Sequence, residues 1–122
     1  MHRFTLFLIT LACAANVHAA GDVAAGNALF TTRCASCHHV GPSARAAFGP
    51  QLNGIFGRTA GNTKDFQYSD GMKASGVVWS DDTLRAFIKA PVKVVPGTKM
   101  RFWGIGNDGQ INDLLAYLRT FQ

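Results

Sequence analysis

The sequence contains no glutamate, and its seven acidic residues are all aspartates. Charged residues make up only 16% of the 122 residues, against about a quarter in an average globular protein. The chain also lacks internal repeats and low-complexity tracts. A chain this short, with 48% hydrophobic residues, is not a multidomain enzyme, a disordered tail or a collagen-like repeat.

Cysteine is scarce as well, with three in the whole chain, so a disulfide-rich scaffold is not expected. Twelve basic residues against the seven aspartates give a formal net charge of +5. This balance permits an acidic partner protein, nucleic acid or an anionic membrane surface, and it does not choose between them.

A long hydrophobic run occurs at the start of the chain, from Phe4 to Ala15. It is shorter than the roughly 20 residues that a transmembrane helix needs. A basic start before it and a small-residue exit after it complete the pattern of a secretory signal peptide. An uncleaved anchor or a buried first helix is the alternative. We predict that residues 1–19 are a leader, cleaved after Ala19 or Ala20, and that residues 20–122 form a single domain of a protein exported to the bacterial periplasm.

The rest of the chain is predicted to consist of short helices separated by glycine-rich loops, and no stretch alternates convincingly as a strand does. The last helix has an apolar stripe at positions i, i+3, i+4 and i+7, formed by Ile111, Leu114, Leu115 and Leu118. Four helices are predicted. Asp22 caps the first, which runs to about Arg33, and a weaker one runs from Ser69 to Ala74. The third begins at Ser80 and ends before Pro91, and the last begins at Asn107 or Asp108.

These helices alone would make a poor hydrophobic core. The long segment between Gly41 and Ser80 has little predicted regular structure, which also counts against a compact domain. Something large and apolar is therefore expected in the middle of the fold.

The residues Cys34-Ala35-Ser36-Cys37-His38 form a C-x-x-C-H motif, which is the attachment sequence for c-type haem. Two cysteines three residues apart at a helix end lie on one face, so each can bond one vinyl group, and His38 can reach the iron from the same side. A thioredoxin-like dithiol would sit in a βαβ pattern, which is absent. A zinc site would need two more ligands, and the sequence has no second cysteine pair. The motif therefore predicts one haem c, bound through Cys34 and Cys37.

The second axial ligand of the iron must come from a distant part of the chain. The candidates are His39, Met72, Met100 and the lysines. His39 is held on the same side as His38, and Met72 lies in a polar stretch. Met100 follows the constrained loop 96–99, which contains proline and glycine. Although methionine is often only a core residue, this loop favours Met100 as the ligand.

The order and spacing of these motifs resemble those of class I c-type cytochromes, which include mitochondrial cytochrome c and small periplasmic carriers of bacteria. The resemblance extends from Gly21 to Phe121. It implies an all-α fold of short helices and glycine-rich loops wrapped around one covalent haem, with the N- and C-terminal helices crossing. The matching motifs are G-D-V-x-x-G-x-x-x-F at 21–30, C-A-S-C-H at 34–38, G-P-Q-L at 49–52, G-I-F-G-R at 54–58, F-Q-Y-S-D at 66–70, Trp79, Thr83-Leu84, P-G-T-K-M-R-F at 96–102 and L-x-A-Y-L at 114–118.

The resemblance also implies roles for individual residues. Gly26 and Phe30 should meet Leu114 and Tyr117 where the terminal helices cross. Around the haem, Pro50 should offer its carbonyl to the His38 ring. Tyr68 and Trp79 should hydrogen-bond a propionate, and Arg58 should balance the charge of that propionate. Thr98 should close the loop that carries Met100, and Phe102 should cover the haem edge.

Two positions on the Met100 side of the haem depart from the family pattern. Phe87 stands where the family often has a tyrosine, and Met72 stands where it usually has an asparagine. Both changes make this side more apolar. Val92 occupies a position that is often basic.

The function that the resemblance implies is that of a soluble, monomeric one-electron carrier, not an enzyme, with no stable membrane insertion and no nucleic-acid partner. Its partners would be redox complexes with acidic docking surfaces: a quinol-oxidising cytochrome complex, a terminal oxidase, a photosynthetic reaction centre or a periplasmic dehydrogenase. Basic residues around the haem edge would steer such partners, and the candidates are Arg33, Lys89, Lys93, Lys99 and Arg101.

Two alternatives remain open from the sequence. In the first, the protein is a haem subunit of a periplasmic dehydrogenase or oxidase, and the adjacent Phe102 and Trp103 are the only hint in that direction. In the second, it is a haem peroxidase or a gas-binding protein. The last class requires an open sixth position on the iron, and therefore an iron that Met100 does not bind.

Overall fold

The computed structural model describes residues 21–122, so the predicted leader lies outside the described residues. Within this range the regular structure is helical, apart from one isolated antiparallel bridge between Thr59 and Val78. The predicted all-α fold is confirmed. The helices are α1 (Val23–Arg33), α2 (Asp70–Ala74), α3 (Asp81–Lys89), α4 (Pro91–Val94) and α5 (Asp108–Arg119).

The side chains that begin the helices are those that the sequence predicts. Asp22 accepts a hydrogen bond of 3.0 Å from the backbone N–H of Ala25 at the start of α1. Ser80 and Thr83 form a reciprocal capping box at the start of α3. Asn107 caps α5. Such caps satisfy backbone N–H groups that have no partner inside the helix.

The segment after α3 differs from the prediction. Pro91 follows the end of α3, as expected, but it also begins the short helix α4. Proline is well suited to the first turn of a helix, because its missing N–H would have no partner there and its fixed φ angle is helical. The backbone N–H of Val95 donates to the Pro91 carbonyl at 2.9 Å. The Pro91–Val94 helix leads the chain into the loop that carries Met100.

Helices α1 and α5 cross in close contact, as the resemblance implies. Gly26 is buried at the crossing, and a Cβ atom there would overlap the backbone oxygen of Asp113 and lie 2.8 Å from the Cβ of Tyr117. One turn further along α1, the rings of Phe30 and Tyr117 are 5.5 Å apart. The absence of a side chain at Gly26 therefore lets the two helix backbones approach each other.

The apolar stripe of α5 is buried as predicted, with Ile111 and Leu115 completely inaccessible. Other core side chains come from α3 and from the loops on either side of it. None of the helices within residues 21–122 is long and apolar enough to cross a membrane.

Candidate functional site

The interior of the fold contains a cavity of about 470 Å³, which is within the range of about 300–1,000 Å³ that is usual for cofactor sites. Its walls are mainly apolar. They include the ten residues that the sequence analysis assigned to the cofactor, which are Cys34, Cys37, His38, Pro50, Arg58, Tyr68, Trp79, Thr98, Met100 and Phe102. A second depression of about 510 Å³ beside residues 61–68 is open to solvent and shares only Tyr68 with that set.

A turn at the end of α1 carries the two cysteines and His38 to the cavity. The N–H of Cys34 donates to the Phe30 carbonyl at 2.8 Å, and the N–H groups of Cys37 and His38 donate to the Cys34 carbonyl at 3.0 and 2.9 Å. The two cysteines do not form a disulfide with each other. No group of three or more histidine, cysteine or aspartate residues that could hold a metal ion occurs in the described part of the chain. The zinc alternative therefore gains no support there.

Burial raises the pKa of Cys34 to about 11, despite the opposing effect of Arg33. A thioredoxin-like dithiol needs a thiol with a lowered pKa, so the environment of Cys34 does not favour that reading.

The ring of His38 is held by the loop opposite the turn. Its Nδ1 atom lies 2.8 Å from the carbonyl oxygen of Pro50, and since a carbonyl can only accept, Nδ1 carries the proton. A Cβ atom on Gly49 would lie 2.8 Å from Nδ1, so glycine permits this close approach. Burial lowers the pKa of His38, which favours a neutral ring with a lone pair on Nε2. A neutral imidazole oriented by a second hydrogen bond is the usual state of a histidine metal ligand.

Met100 reaches the cavity from a tightly folded loop. The N–H of Thr98 donates to the Val95 carbonyl at 3.1 Å, and the Thr98 hydroxyl accepts from the N–H of Met100 at 3.3 Å. Gly97 has a positive φ angle of 80°, which glycine adopts without steric cost. The Lys99 ammonium group donates to the carbonyl of Gln67 at 2.9 Å.

Met72 also lines the cavity. It lies in the middle of the short helix α2, and its backbone N–H donates to the Ser69 hydroxyl at 3.1 Å. The cavity therefore contains two thioethers. Phe87, the other departure from the family pattern, is buried against Trp79 with the ring centroids 5.0 Å apart. His39 does not line the cavity.

The polar residues of the wall lie near one another. Arg58 donates one hydrogen bond of 2.8 Å to the Gln51 carbonyl and another to the carbonyl of Asn53, and burial lowers its pKa. The Tyr68 hydroxyl is hydrogen-bonded to Thr63. The Trp79 backbone N–H donates to the Arg58 carbonyl at 2.9 Å. A cationic guanidinium, a phenol and an indole are thus among the polar groups of a mainly apolar cavity wall.

This donor set fits a haem. Two thiols and an imidazole from one turn, a thioether from the loop that contains Gly97 and Thr98, and many apolar side chains line the same cavity. Comparison with known proteins agrees, because the family model described as cytochrome c matches residues 23–122.

The chain belongs to the cytochrome c family.

Individual relatives support this assignment. Cytochrome c2 of Blastochloris viridis is 40% identical over 121 residues, which cover 99% of this chain and 94% of the relative. Cytochrome c-550 of Nitrobacter winogradskyi is 44% identical over 83% of this chain and 92% of its own. Among solved structures, cytochrome cH from Methylobacterium extorquens superposes with a TM-score of 0.76 at 39% identity, over 82% of this chain and 99% of that one.

As a cytochrome c, the protein carries a haem c, for which Cys34 and Cys37 occupy the two attachment positions, and it acts as an electron carrier. The basic residues predicted around the haem edge divide into two groups. Arg33, Lys99 and Arg101 border the haem cavity, whereas Lys89 and Lys93 do not. Lys89 is instead paired with Asp108 at 2.6 Å.

Sequence reasoning missed some residues of this haem site. Phe48 lines the cavity and yet has 88% of its surface exposed. Leu52 and Ile55 also belong to the wall. Leu52 and Ile55 fall inside motifs that carried the resemblance, but no local pattern distinguishes Phe48, because it lies in an irregular loop without periodicity.

Proposed function

We propose that this cytochrome is a periplasmic one-electron carrier, not an enzyme, whose haem iron is bound by His38 and Met100. The observation that carries the proposal is the position of both side chains on the walls of one apolar cavity that also contains the two cysteines. When bound, haem c supplies an iron that exchanges single electrons between the ferrous and ferric states. If His38 and Met100 both bind the iron, no coordination site would remain for a substrate. A thioether ligand and an apolar surrounding both favour the ferrous state.

The residues around the cavity then have separate tasks. Pro50 fixes the orientation of the His38 ring through the 2.8 Å hydrogen bond. Thr98 stiffens the loop so that Met100 is held in position. Neither contact depends on a long flexible side chain, and a rigid ligand set needs little reorganisation when the electron arrives or leaves.

The polar part of the wall is suited to the haem propionates. Arg58 offers a positive charge, and Tyr68 and Trp79 offer O–H and N–H donors from the same wall. Phe102 would cover the edge of a bound haem, and the Arg33 guanidinium lies 5.3 Å from the centroid of the Phe102 ring. That arrangement would limit the access of water to the haem and keep positive charge near the place where a partner would approach.

The cellular context belongs to the same proposal. Residues 1–19 would direct export and be removed, and residues 20–122 would act as a monomer. The partners would be redox complexes with acidic docking surfaces, attracted by the basic residues at the cavity mouth. Relatives named cytochrome c2, c-550 and cH support a carrier of this kind.

A redox titration of the purified holoprotein tests the proposal. We expect the visible spectrum to follow a one-electron curve, with about 59 mV for each tenfold change in the ratio of the two forms. Carbon monoxide added to the ferrous protein should leave the spectrum unchanged. The Met100→Ala variant serves as the positive control, because it should bind carbon monoxide. Ready binding by the wild type would favour a gas-binding protein or a peroxidase.

A further inference from the structure

Trp103 is the most exposed large apolar side chain among residues 21–122, with a relative exposure of 101%. Tryptophan has a large apolar surface and is normally buried for most of its area in a folded protein. It is also, with tyrosine and arginine, enriched among the residues that dominate binding energy at protein interfaces. The exposure of Trp103 therefore calls for an explanation at this particular place.

The backbone on both sides of Trp103 is fixed. Gly104 has a φ angle of 97°, and a Cβ atom there would overlap the carbonyl oxygen of Lys89. The N–H of Ile105 donates to the Ile88 carbonyl at 3.0 Å, and Ile105 is buried. On the other side, Phe102 lines the haem cavity. Trp103 is thus presented to solvent by a loop anchored against α3.

A second exposed apolar residue lies near the same end of α3. Val92, in α4, has a relative exposure of 62%. It is three residues from Lys89, whose carbonyl contacts Gly104, so the chain separates the Cα atoms of Val92 and Lys89 by at most about 11 Å. Trp103 therefore does not stand alone as an apolar feature of this region.

Positively charged residues lie near Trp103. Arg101 is two residues away, and Arg33 lies over the ring of the adjacent Phe102. Within the described residues, Arg33, Lys93 and Arg101 have no carboxylate within 4.0 Å, whereas the charge of Lys89 is compensated by Asp108. Two copies of this region facing each other would place like charges together, which disfavours a second copy of the chain as the occupant.

We propose that Trp103 is the docking anchor of this cytochrome and that it inserts into an apolar recess, rimmed by acidic side chains, on the surface of a redox partner protein. The inference rests on the proposed carrier function and adds the chemistry of the partner's surface. Because Phe102 lines the haem cavity, burial of Trp103 brings the partner against the haem edge. The basic residues accelerate the encounter, and the tryptophan determines how long the complex lasts. A small interface with one strong anchor is compatible with rapid turnover.

Steady-state oxidation of the ferrous holoprotein by a purified cytochrome c-oxidising terminal oxidase tests the proposal across a salt series. Between about 0.01 and 1 M salt the Debye length falls from about 30 to about 3 Å, so charge and apolar contributions separate. We expect Trp103→Ala to raise KM about tenfold, as loss of a strong anchor would, without changing the salt dependence. Trp103→Phe should recover most of the loss. Arg101→Gln should instead flatten the salt dependence and leave KM at high salt near the wild-type value.

Val78→Ala is the matched control. Val78 is 52% exposed, and its carbonyl accepts from Thr83 at the opposite end of α3, so KM should not change. Oxidation by ferricyanide should proceed at the wild-type rate in the charge-neutral Trp103 and Val78 variants. Because ferricyanide is an anion, Arg101→Gln should slow it at low salt only. A wild type that ferricyanide does not oxidise would count against the carrier function itself, whatever Trp103 does.

Three results would overturn the docking proposal while ferricyanide oxidation stays normal. The first is a wild-type KM in Trp103→Ala. The second is a wild-type protein that the oxidase does not oxidise. The third is a concentration-dependent dimer in sedimentation equilibrium that Trp103→Ala dissociates, because a second copy of the chain would then be the occupant.

Discussion

Replacement of Gly26 by alanine tests how the fold is held closed around the haem. A Cβ atom at this position would overlap the backbone oxygen of Asp113 and lie 2.8 Å from the Cβ of Tyr117. The oxygen belongs to the backbone of α5 and cannot rotate away as a side chain can. Helices α1 and α5 must therefore move apart in the variant.

The size of the effect follows from opposing contributions. Overpacking of a close contact costs about 1–3 kcal/mol. Separation of the helices also weakens the Phe30–Tyr117 ring contact at 5.5 Å, and such pairs are worth about 0.5–1.5 kcal/mol. Alanine gains up to about 1 kcal/mol over glycine in a helix interior. We expect a net loss of about 1–3 kcal/mol in the free energy of unfolding.

Guanidinium unfolding of the holoprotein, followed by far-ultraviolet circular dichroism, measures the loss. The midpoint should fall while the slope m stays near its wild-type value. Gly109→Ala is the control, because a Cβ atom at this helical glycine meets only the Asn107 side chain, at 3.2 Å. It should change stability by about 0.5 kcal/mol or less, or raise it. If Gly26→Ala were as stable as Gly109→Ala, the reasoning about the helix crossing would be refuted.

Further predictions concern the site and its surroundings. Gly49→Ala should displace the His38 ring, since a Cβ atom would lie 2.8 Å from Nδ1; a shifted reduction potential would show this, and an unchanged potential and spectrum would contradict it. Cys37→Ser should sharply lower the yield of holoprotein, and denaturing electrophoresis with haem staining measures it. Burial acts to raise the pKa of Asp81, but hydrogen bonds from Arg119 and Arg85 outweigh it and lower the pKa from the ordinary 3.8. Because the folded-state pKa is the lower one, the stabilisation is present above pH 3.8 and is lost as the pH falls through the folded-state pKa. The side chains of both ion pairs are partly exposed, so Asp81→Asn should cost only about 0.2–1 kcal/mol per pair at neutral pH. Denaturant midpoints measured across pH should show that the stability difference between Asp81→Asn and the wild type vanishes in acid. A stability difference that persists in acid would contradict the assignment.

Local signals explain why most helices could be predicted. Asp22, Ser80 and Asn107 cap helices through contacts three residues away, and such contacts depend only on the nearby sequence. The spacing of Cys34, Cys37 and His38 is equally local, and it predicts the cofactor because the chemistry of attachment requires that spacing. Helix α4 was missed because Pro91 is a helix stop in one context and a helix start in the next.

Other features depend on contacts between distant residues, which local patterns do not reveal. Lys89 was predicted to steer partners, but it forms a 2.6 Å ion pair with Asp108. The two residues are far apart in sequence, so local patterns could not predict this pair. Met72 is different, because the resemblance placed it on the Met100 side of the haem, and α2 does carry it to the cavity wall. The full exposure of Trp103 follows from the anchoring of Gly104 against α3, which appears only in the folded chain.

The most direct test of the account is the far-red absorption of the ferric holoprotein. A sulfur ligand on ferric haem iron gives a weak charge-transfer band in this region. We predict that the wild type has the band, that Met100→Ala abolishes it and that Met72→Leu retains it, although both thioethers line the cavity. A wild type without the band, or a band lost in Met72→Leu and retained in Met100→Ala, would contradict the assignment of Met100 as the axial ligand.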